Sequence, residues 1–338
     1  MSAVEELASQ APAVQAVPKR AMTLSSGTAF VVVLLLLIVP LFAKNFVIFQ
    51  LTQLLYYGLA VLALNILTGG SGQFSLGQSA FYAIGAYTSA ILMEQYDVNY
   101  ALTLPIAGII CFAAGFLFGQ PALRLSGVYL ALATFALATA MPQLLKLGFF
   151  EKWTGGVQGQ VVTKPDAPFG LPMSQDMWLY YFTLAVTIAI YIFSVNLLRS
   201  RSGRAFMAIR DNEIAASAMG INVSLYKTLA FGVSAGITGV AGGLGAIAVQ
   251  FVAPDSFTIT LAIQLFLGMV VGGVGWLPGS FIGAAFIIFV PNIAESISKG
   301  LSGAVFGVLL FLVIFLVPHG ARQVAMVGQQ LLERARKR

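Results

Sequence analysis

The chain has 338 residues, of which 59% are hydrophobic and only 9% charged, and it carries a net charge of +6. Those proportions exclude a soluble globular domain. The positive charges flank apolar runs and the C-terminal tail, a pattern of topology signals rather than of a nucleic-acid surface.

Residues 1–28 are rich in Ala, Pro, Ser, Gln and Glu and are expected to form a flexible cytoplasmic tail. Lys19-Arg20 ahead of the apolar run Phe30 to Phe42 imitates a signal peptide, but no small-residue cleavage site accompanies it and many spans follow. A retained first span is therefore expected, drawn from Ser26 to Ala43 to reach the ~20 residues that a bilayer requires. Further spans are placed at 46–68, 74–93, 101–120, 126–145, 177–198, 223–249, 256–275, 279–297 and 301–318. The expected fold is thus an all-α polytopic membrane protein of about ten transmembrane helices, with a transmembrane domain at 29–318 and a basic cytoplasmic tail at 319–338. Cys111, the single cysteine, excludes an internal disulfide and is expected as a small core residue. His319, the single histidine, follows Pro318 at a span end, where an interfacial position is expected; one imidazole makes no metal site.

An even number of spans puts both termini on one side. With that side cytoplasmic, Lys19, Arg20, Arg124, Arg199, Arg201, Arg204, Arg210, Lys227, Arg322, Arg334, Arg336, Lys337 and Arg338 fall inside, leaving Lys44, Lys146, Lys152, Lys164 and Lys299 outside. Every arginine is inside, as the positive-inside rule requires. The longest outward loop is then 146–176, holding Glu151, Lys152, Trp153, Gly155, Gly156, Lys164 and Asp166; it exceeds a minimal turn and can hold a short surface element.

Polar groups inside spans are candidates for a translocation path or for bonds between helices. Gln73, Ser75, Gln78, Ser79 and Tyr82 crowd the start of the third span, where Ser75, Ser79 and Tyr82 are expected to share a face at i, i+4 and i+7. Asn65, Tyr87, Thr134, Thr139, Gln143, Gln250 and Gln264 are scattered through other apolar runs. No Asp, Glu, Lys or Arg stands near the middle of a span, which favours a passive channel or a pathway driven from outside the chain over an ion-coupled carrier.

Glycines four residues apart let helix backbones approach closely. Gly115/Gly119, Gly232/Gly236, Gly239/Gly243, Gly268/Gly272, Gly279/Gly283 and Gly303/Gly307 have that spacing, and their concentration in 232–283 predicts a tight helix bundle. Gly69-Gly-Ser-Gly72 and Gly272-Gly-Val-Gly275 echo each other, each followed by a glycine that opens the next span. Neither has the preceding strand or the Lys-Ser/Thr of a nucleotide loop, so neither is expected to bind ATP. The echo hints at an internal repeat.

The one polar, basic island among the spans is 199–222. Arg199, Arg201, Arg204 and Arg210 come close together, followed by Asp211 and Glu213. Ala, Met, Ile, Glu and Arg predict a helix over Arg204 to Met219, with Gly220 as its stop. Glu213, Ala216, Ser217 and Gly220 would then share a face with little bulk, suited to docking; an ordinary loop between spans is the other reading. Glu213-Ile-Ala-Ala-Ser-Ala-Met-Gly220 resembles the coupling loop of ABC-importer permeases, with Ile214 inserted into a strict Glu-Ala-Ala pattern. The longer run Gly203 to Lys227 resembles that of the branched-chain amino-acid permeases, M-type, and the likeness extends over Tyr57 to Pro318.

That resemblance implies an ABC-importer permease fold in a bacterial inner membrane, with a cytoplasmic coupling helix that enters a cleft in an ATPase. Arg204, Arg210, Glu213, Ala215, Ala216 and Gly220 are its implied coupling residues. It further implies a heterodimer with a second, shorter permease subunit, two ATPase subunits that hold ATP and Mg, and a periplasmic binding protein that meets loop 146–176. The implied substrates are leucine, isoleucine and valine; relatives of the same family carry urea, amides or aromatic compounds. A self-contained carrier or channel is the competing class, but it has no need of a docking helix. No metal cluster, nucleophile–base pair or carboxylate dyad appears in a span, so the chain itself is expected to hold no cofactor and catalyse no reaction.

Overall fold

The computed structural model describes residues 26–122, 127–168, 173–297 and Gly307. Uninterrupted apolar sequence becomes helix because a backbone in hydrocarbon has only itself to hydrogen-bond with. In chain order the helices are α1 (Ser26–Phe42), α2 (Asn45–Asn65), α3 (Gln78–Tyr96), α4 (Tyr100–Ala122), α5 (Val128–Leu145), α6 (Gly148–Thr154), α7 (Gln175–Arg199), α8 (Arg201–Asp211), α9 (Glu213–Ala218), α10 (Val223–Val249), α11 (Ile259–Gly272) and α12 (Gly279–Ile297). A π-helical turn, Ile66–Gly70, extends α2. Strands β1 (Gln160–Val161) and β2 (Phe251–Val252) pair antiparallel and tie the 146–176 loop to the end of α10.

Of the expected spans, 301–318 lies outside the described residues save Gly307, as do most of both tails, the glycine Gly303 and His319. The other expected spans each meet a helix. Among the described residues, however, five segments are long and apolar enough to cross a membrane, or six if the α5–α6 pair, bent by 79°, is one span. The described residues bear out an all-α polytopic fold but do not confirm the count of about ten. α3 falls short because Gln78, Ser79, Tyr82, Tyr87, Ser89 and Glu94 dilute its apolar character, and α1 and α12 are short apolar helices.

The third span also starts later than expected, at Gln78 rather than residue 74. Gly72 has φ +73°, which breaks the helix behind it, and Gly77 stands at the N-cap position of α3. Ser75 consequently precedes α3 and does not share a helical face with Ser79 and Tyr82.

α10 is the central helix. Gly232 and Gly236 lie against Phe112 and Gly108 of α4, Gly239 against both Cys111 and Gly85, and Gly243 against Ser89 of α3. A Cβ at Gly85 would collide with the Gly239 carbonyl, so α3 and α10 meet backbone to backbone. A second such meeting joins α11 to α12, where Gly268 faces Gly283 and Gly272 faces Gly279. α1 is held to α7 by Tyr180 and Tyr181, whose hydroxyls donate to the Leu36 and Leu37 carbonyls at 2.8 and 3.1 Å.

Candidate functional site

The polar island 199–222 forms two helices, not one. Ser200 caps α8 by accepting from the Gly203 N–H. α8 buries Gly203, Ala205, Phe206 and Ile209, and the Phe206 ring meets Tyr226 of α10 edge-on at 6.2 Å. Asn212 then departs from helix at φ −162°, ψ 111°, and its Oδ1 accepts from the Ala215 N–H at 3.0 Å. This is the local side-chain bond with which Asn competes against a continuing helix, and it splits the expected 204–219 element.

α9 ends at Gly220, which has φ +81°. The Ile221 N–H returns to the Ala216 carbonyl and the Gly220 N–H to the Ser217 carbonyl, a left-handed cap. A Cβ at Gly220 would meet nothing within 4 Å in this chain, so the demand here is conformational. The four residues expected to share an outward face are divided. Ala216 is buried, whereas Glu213 and Ser217 are exposed.

Glu213, Arg204, Arg210 and Asp211 are engaged within the chain. The Glu213 carboxylate pairs with the Lys227 ammonium. Arg204 donates to the Arg199 carbonyl at 3.1 Å. Arg210 grips Asp211 through Nε and Nη2 and turns Nη1 to the Gly69 carbonyl at 2.8 Å. Among exposed polar and charged residues, the island also presents two large apolar side chains outward: Ile214 is 82% exposed and Met219 84%, flanking an exposed Ala215. In the sequence Ile214 stands only as an insertion and Met219 only as a helix end. Two large apolar side chains inside a charged island were the available signal.

The five polar residues at the start of the third span are all buried. Gln73 donates to Ser71 Oγ at 2.9 Å and to the Lys227 carbonyl at 3.1 Å. Ser75 accepts from the Gly77 N–H. Gln78 links α3 to α10, donating to Ser234 Oγ at 3.0 Å and accepting from Thr238 Oγ1 at 2.7 Å. Tyr82 stacks on Tyr57 at 6.1 Å and packs over Gly242 and Gly245. Ser79 Oγ and Gln73 Oε1 have no hydrogen-bond partner.

The two echoing glycine turns meet in space. A Cβ at Gly69 would stand 2.5 Å from the Gly275 nitrogen. Asn65, 1% exposed, binds the second turn on several sides. Its Oδ1 accepts from the Gly275 N–H at 2.7 Å, and its Nδ2 points to the carbonyls of Trp276 at 3.0 Å and Gly273 at 3.3 Å and to Ser280 Oγ at 3.2 Å. Buried non-helical backbone requires such a partner, and here one amide side chain supplies it. In the sequence Asn65 is one polar residue among many in apolar runs.

A family profile described as branched-chain amino acid transport system / permease component matches residues 46–317. The chain is 36% identical over 248 residues to the high-affinity branched-chain amino acid transport system permease protein LivM of Salmonella typhimurium, covering 66% of this chain and 58% of that one. It is 36% identical over 272 residues to LivM of Escherichia coli, covering 73% of this chain and 63% of that one. The chain thus spans less than two thirds of the length of these two relatives. The permease protein LivH of Escherichia coli is 25% identical over 289 residues, 78% of this chain and 90% of its own. No solved structure matches.

Proposed function

The chain belongs to the family of permease components of branched-chain amino acid transport systems, and from that premise we propose that it is one membrane-spanning subunit of an ATP-driven importer. Its partners in this reading are a second permease subunit, two ATPases that hold ATP and Mg, and a binding protein that docks on loop 146–176. Branched-chain amino acids are the proposed substrates. Both termini lie in the cytoplasm, on the side of α8 and α9.

The observation that carries the reading is the form of the 199–222 segment. It is a stiff, twice-capped helical projection with an apolar tip, Ile214 and Met219, and an inward hold on the bundle through Arg210. A connector between spans needs neither feature. Large exposed apolar side chains on an otherwise polar projection suit a protein partner with an apolar cleft. Among the described residues, no charged side chain stands near the middle of a membrane helix to pair with the ammonium or carboxylate of an amino acid. The path would therefore pass a zwitterion along neutral polar groups, with selection made by the binding protein.

Purification of the chain from native membranes tests the reading. An ATPase and a second permease subunit should accompany it, and ligand screening of the associated binding protein should return branched-chain amino acids. A chain that purifies alone and transports when reconstituted alone would overturn it.

A further inference from the structure

We propose that Arg210 and Asn65 are positioning residues in one continuous linkage, by which movement of the coupling segment reaches the paired glycine turns and the α11–α12 hairpin. The inference rests on the reading of 199–222 as the ATPase-facing segment, and it assigns Arg210 an inward role rather than a contact with the ATPase.

The linkage can be followed atom by atom. Arg210 lies in the last turn of α8 and donates from Nη1 to the Gly69 carbonyl at 2.8 Å. That bond is charge-assisted and directional, unlike the apolar packing of Phe206, which resists separation but permits sliding. Gly69 belongs to the π-helical turn, the kind of local unwinding that lets a carbonyl accept from outside the helix. Its Cα touches the Gly275 backbone so closely that no side chain fits between them. Asn65 holds Gly275 and Trp276 from the other side. Gly275 and Gly273 have φ values of +79° and +102°, so the second turn is built from backbone that can change conformation without a Cβ to obstruct it. Beyond it, α11 and α12 are joined backbone to backbone at Gly268/Gly283 and Gly272/Gly279.

A second strut runs parallel to the first. Gln73 donates to the Lys227 carbonyl at 3.1 Å, and Gly72, at φ +73°, lies directly against the Arg210 side chain. The first glycine turn is thereby held to the segment 199–227 at two further points, and the second turn follows through Gly69 and Asn65. The Glu213–Lys227 pair cannot substitute as the main route, since its carboxylate side chain is 55% exposed and the pair is screened by solvent.

The test uses the purified complex reconstituted with its binding protein, in wild-type form and as Arg210→Ala, Arg210→Lys, Asn65→Ala and the double alanine variant. The readout is substrate taken up per ATP hydrolysed, alongside the basal ATPase rate. Each single alanine variant should keep its basal hydrolysis and lose uptake per ATP by about tenfold, within the usual span of coupling between sites. Arg210→Lys, which still offers a donor to Gly69, should recover most of the loss. The double variant should be no worse than the worse single one, because both act on one linkage. An unchanged ratio in both single variants, or losses that multiply in the double one, would overturn the inference while leaving the complex intact. A wild-type preparation without an ATPase would instead overturn the reading it rests on, and the inference with it. Should Asn65→Ala fail to assemble, the contrast between Arg210→Ala and Arg210→Lys decides alone, since Arg210 sits at the edge of the bundle.

Discussion

The two ends of the bundle are held by different means. At the end carrying loop 146–176, contacts are ionic and wet. Lys146 meets Asp255 at 2.6 Å with the aspartate side chain 67% exposed, Lys164 pairs with Asp176, and Gln95 reaches the Lys152 and Trp153 carbonyls at 3.3 Å. The end carrying the glycine turns also has exposed ion pairs, Glu213 with Lys227 and Arg210 with Asp211, but its turns are held by side chains aimed at backbone: Asn65 onto Gly273, Gly275 and Trp276, Gln73 onto Lys227, and Arg210 onto Gly69. Exposed ion pairs are weak and exchange readily with water or with another protein. A buried amide bonded on all sides is fixed in register, because any misfit leaves a polar group without a partner. One end suits a partner that comes and goes, the other a movement that must arrive undiluted.

The sharpest way to break the contrast is at Asn65. Asn65→Leu strands the Gly275 N–H and the Trp276 carbonyl in a buried site, at about 1–3 kcal/mol for each orphaned group. The expected outcome is a large drop in thermal stability of the detergent-solubilised complex, read by a fluorescence melting curve. Gly220→Val comes next. It forces a β-branched residue to φ +81°, at a cost of about 1–3 kcal/mol, but meets no steric obstacle within the chain. Uptake and substrate-stimulated hydrolysis should fall while the melting temperature moves little, because the strain is confined to the exposed cap of α9. Gln78→Leu removes the bonds that α3 makes to Ser234 and Thr238, both on α10. Ser234 keeps its bond to the Ala63 carbonyl, so a loss of about 1–3 kcal/mol is expected from the Thr238 hydroxyl left behind, with reduced assembly on gel filtration as the measure. The smallest effect belongs to the other end. Lys146→Ala should cost no more than about 1 kcal/mol, and added salt should erase even that; a larger loss would mean the two ends are less different than their contacts show.

What could be read beforehand divides along a physical line. Membrane helices were legible because hydrocarbon imposes one solution on any long apolar run, and α2, α4, α7 and α10 stand close to where composition puts them. The start of α3 was misjudged because Gln73 to Gly77 continue the polar and small residues of the helix, while the left-handed Gly72 that ends the previous element leaves no mark beyond being glycine. The break at Asn212 was masked by the helix propensity of its neighbours, although Asn followed by Glu-Ile-Ala is a serviceable N-cap. Asn65 shows the limit most clearly. Its nearest partner residue lies 208 positions away, so no local pattern reveals what it holds. The echo between the glycine turns was visible, but their meeting at Gly69 and Gly275 was a matter of tertiary structure alone.

The length of the α11 segment has one further effect. With the 3-10 turn before it, α11 belongs to a 19-residue apolar segment, Pro254–Gly272, whose rise of about 29 Å at 1.5 Å each nearly matches a hydrocarbon core of about 30 Å. The turn at 273–278 therefore stands at the edge of the hydrocarbon, where Asn65 holds its backbone. Acyl-chain length therefore acts on this protein directly. Longer chains draw more of the turn into oil and tighten its dependence on a single amide, and shorter chains return it to water and relax that dependence.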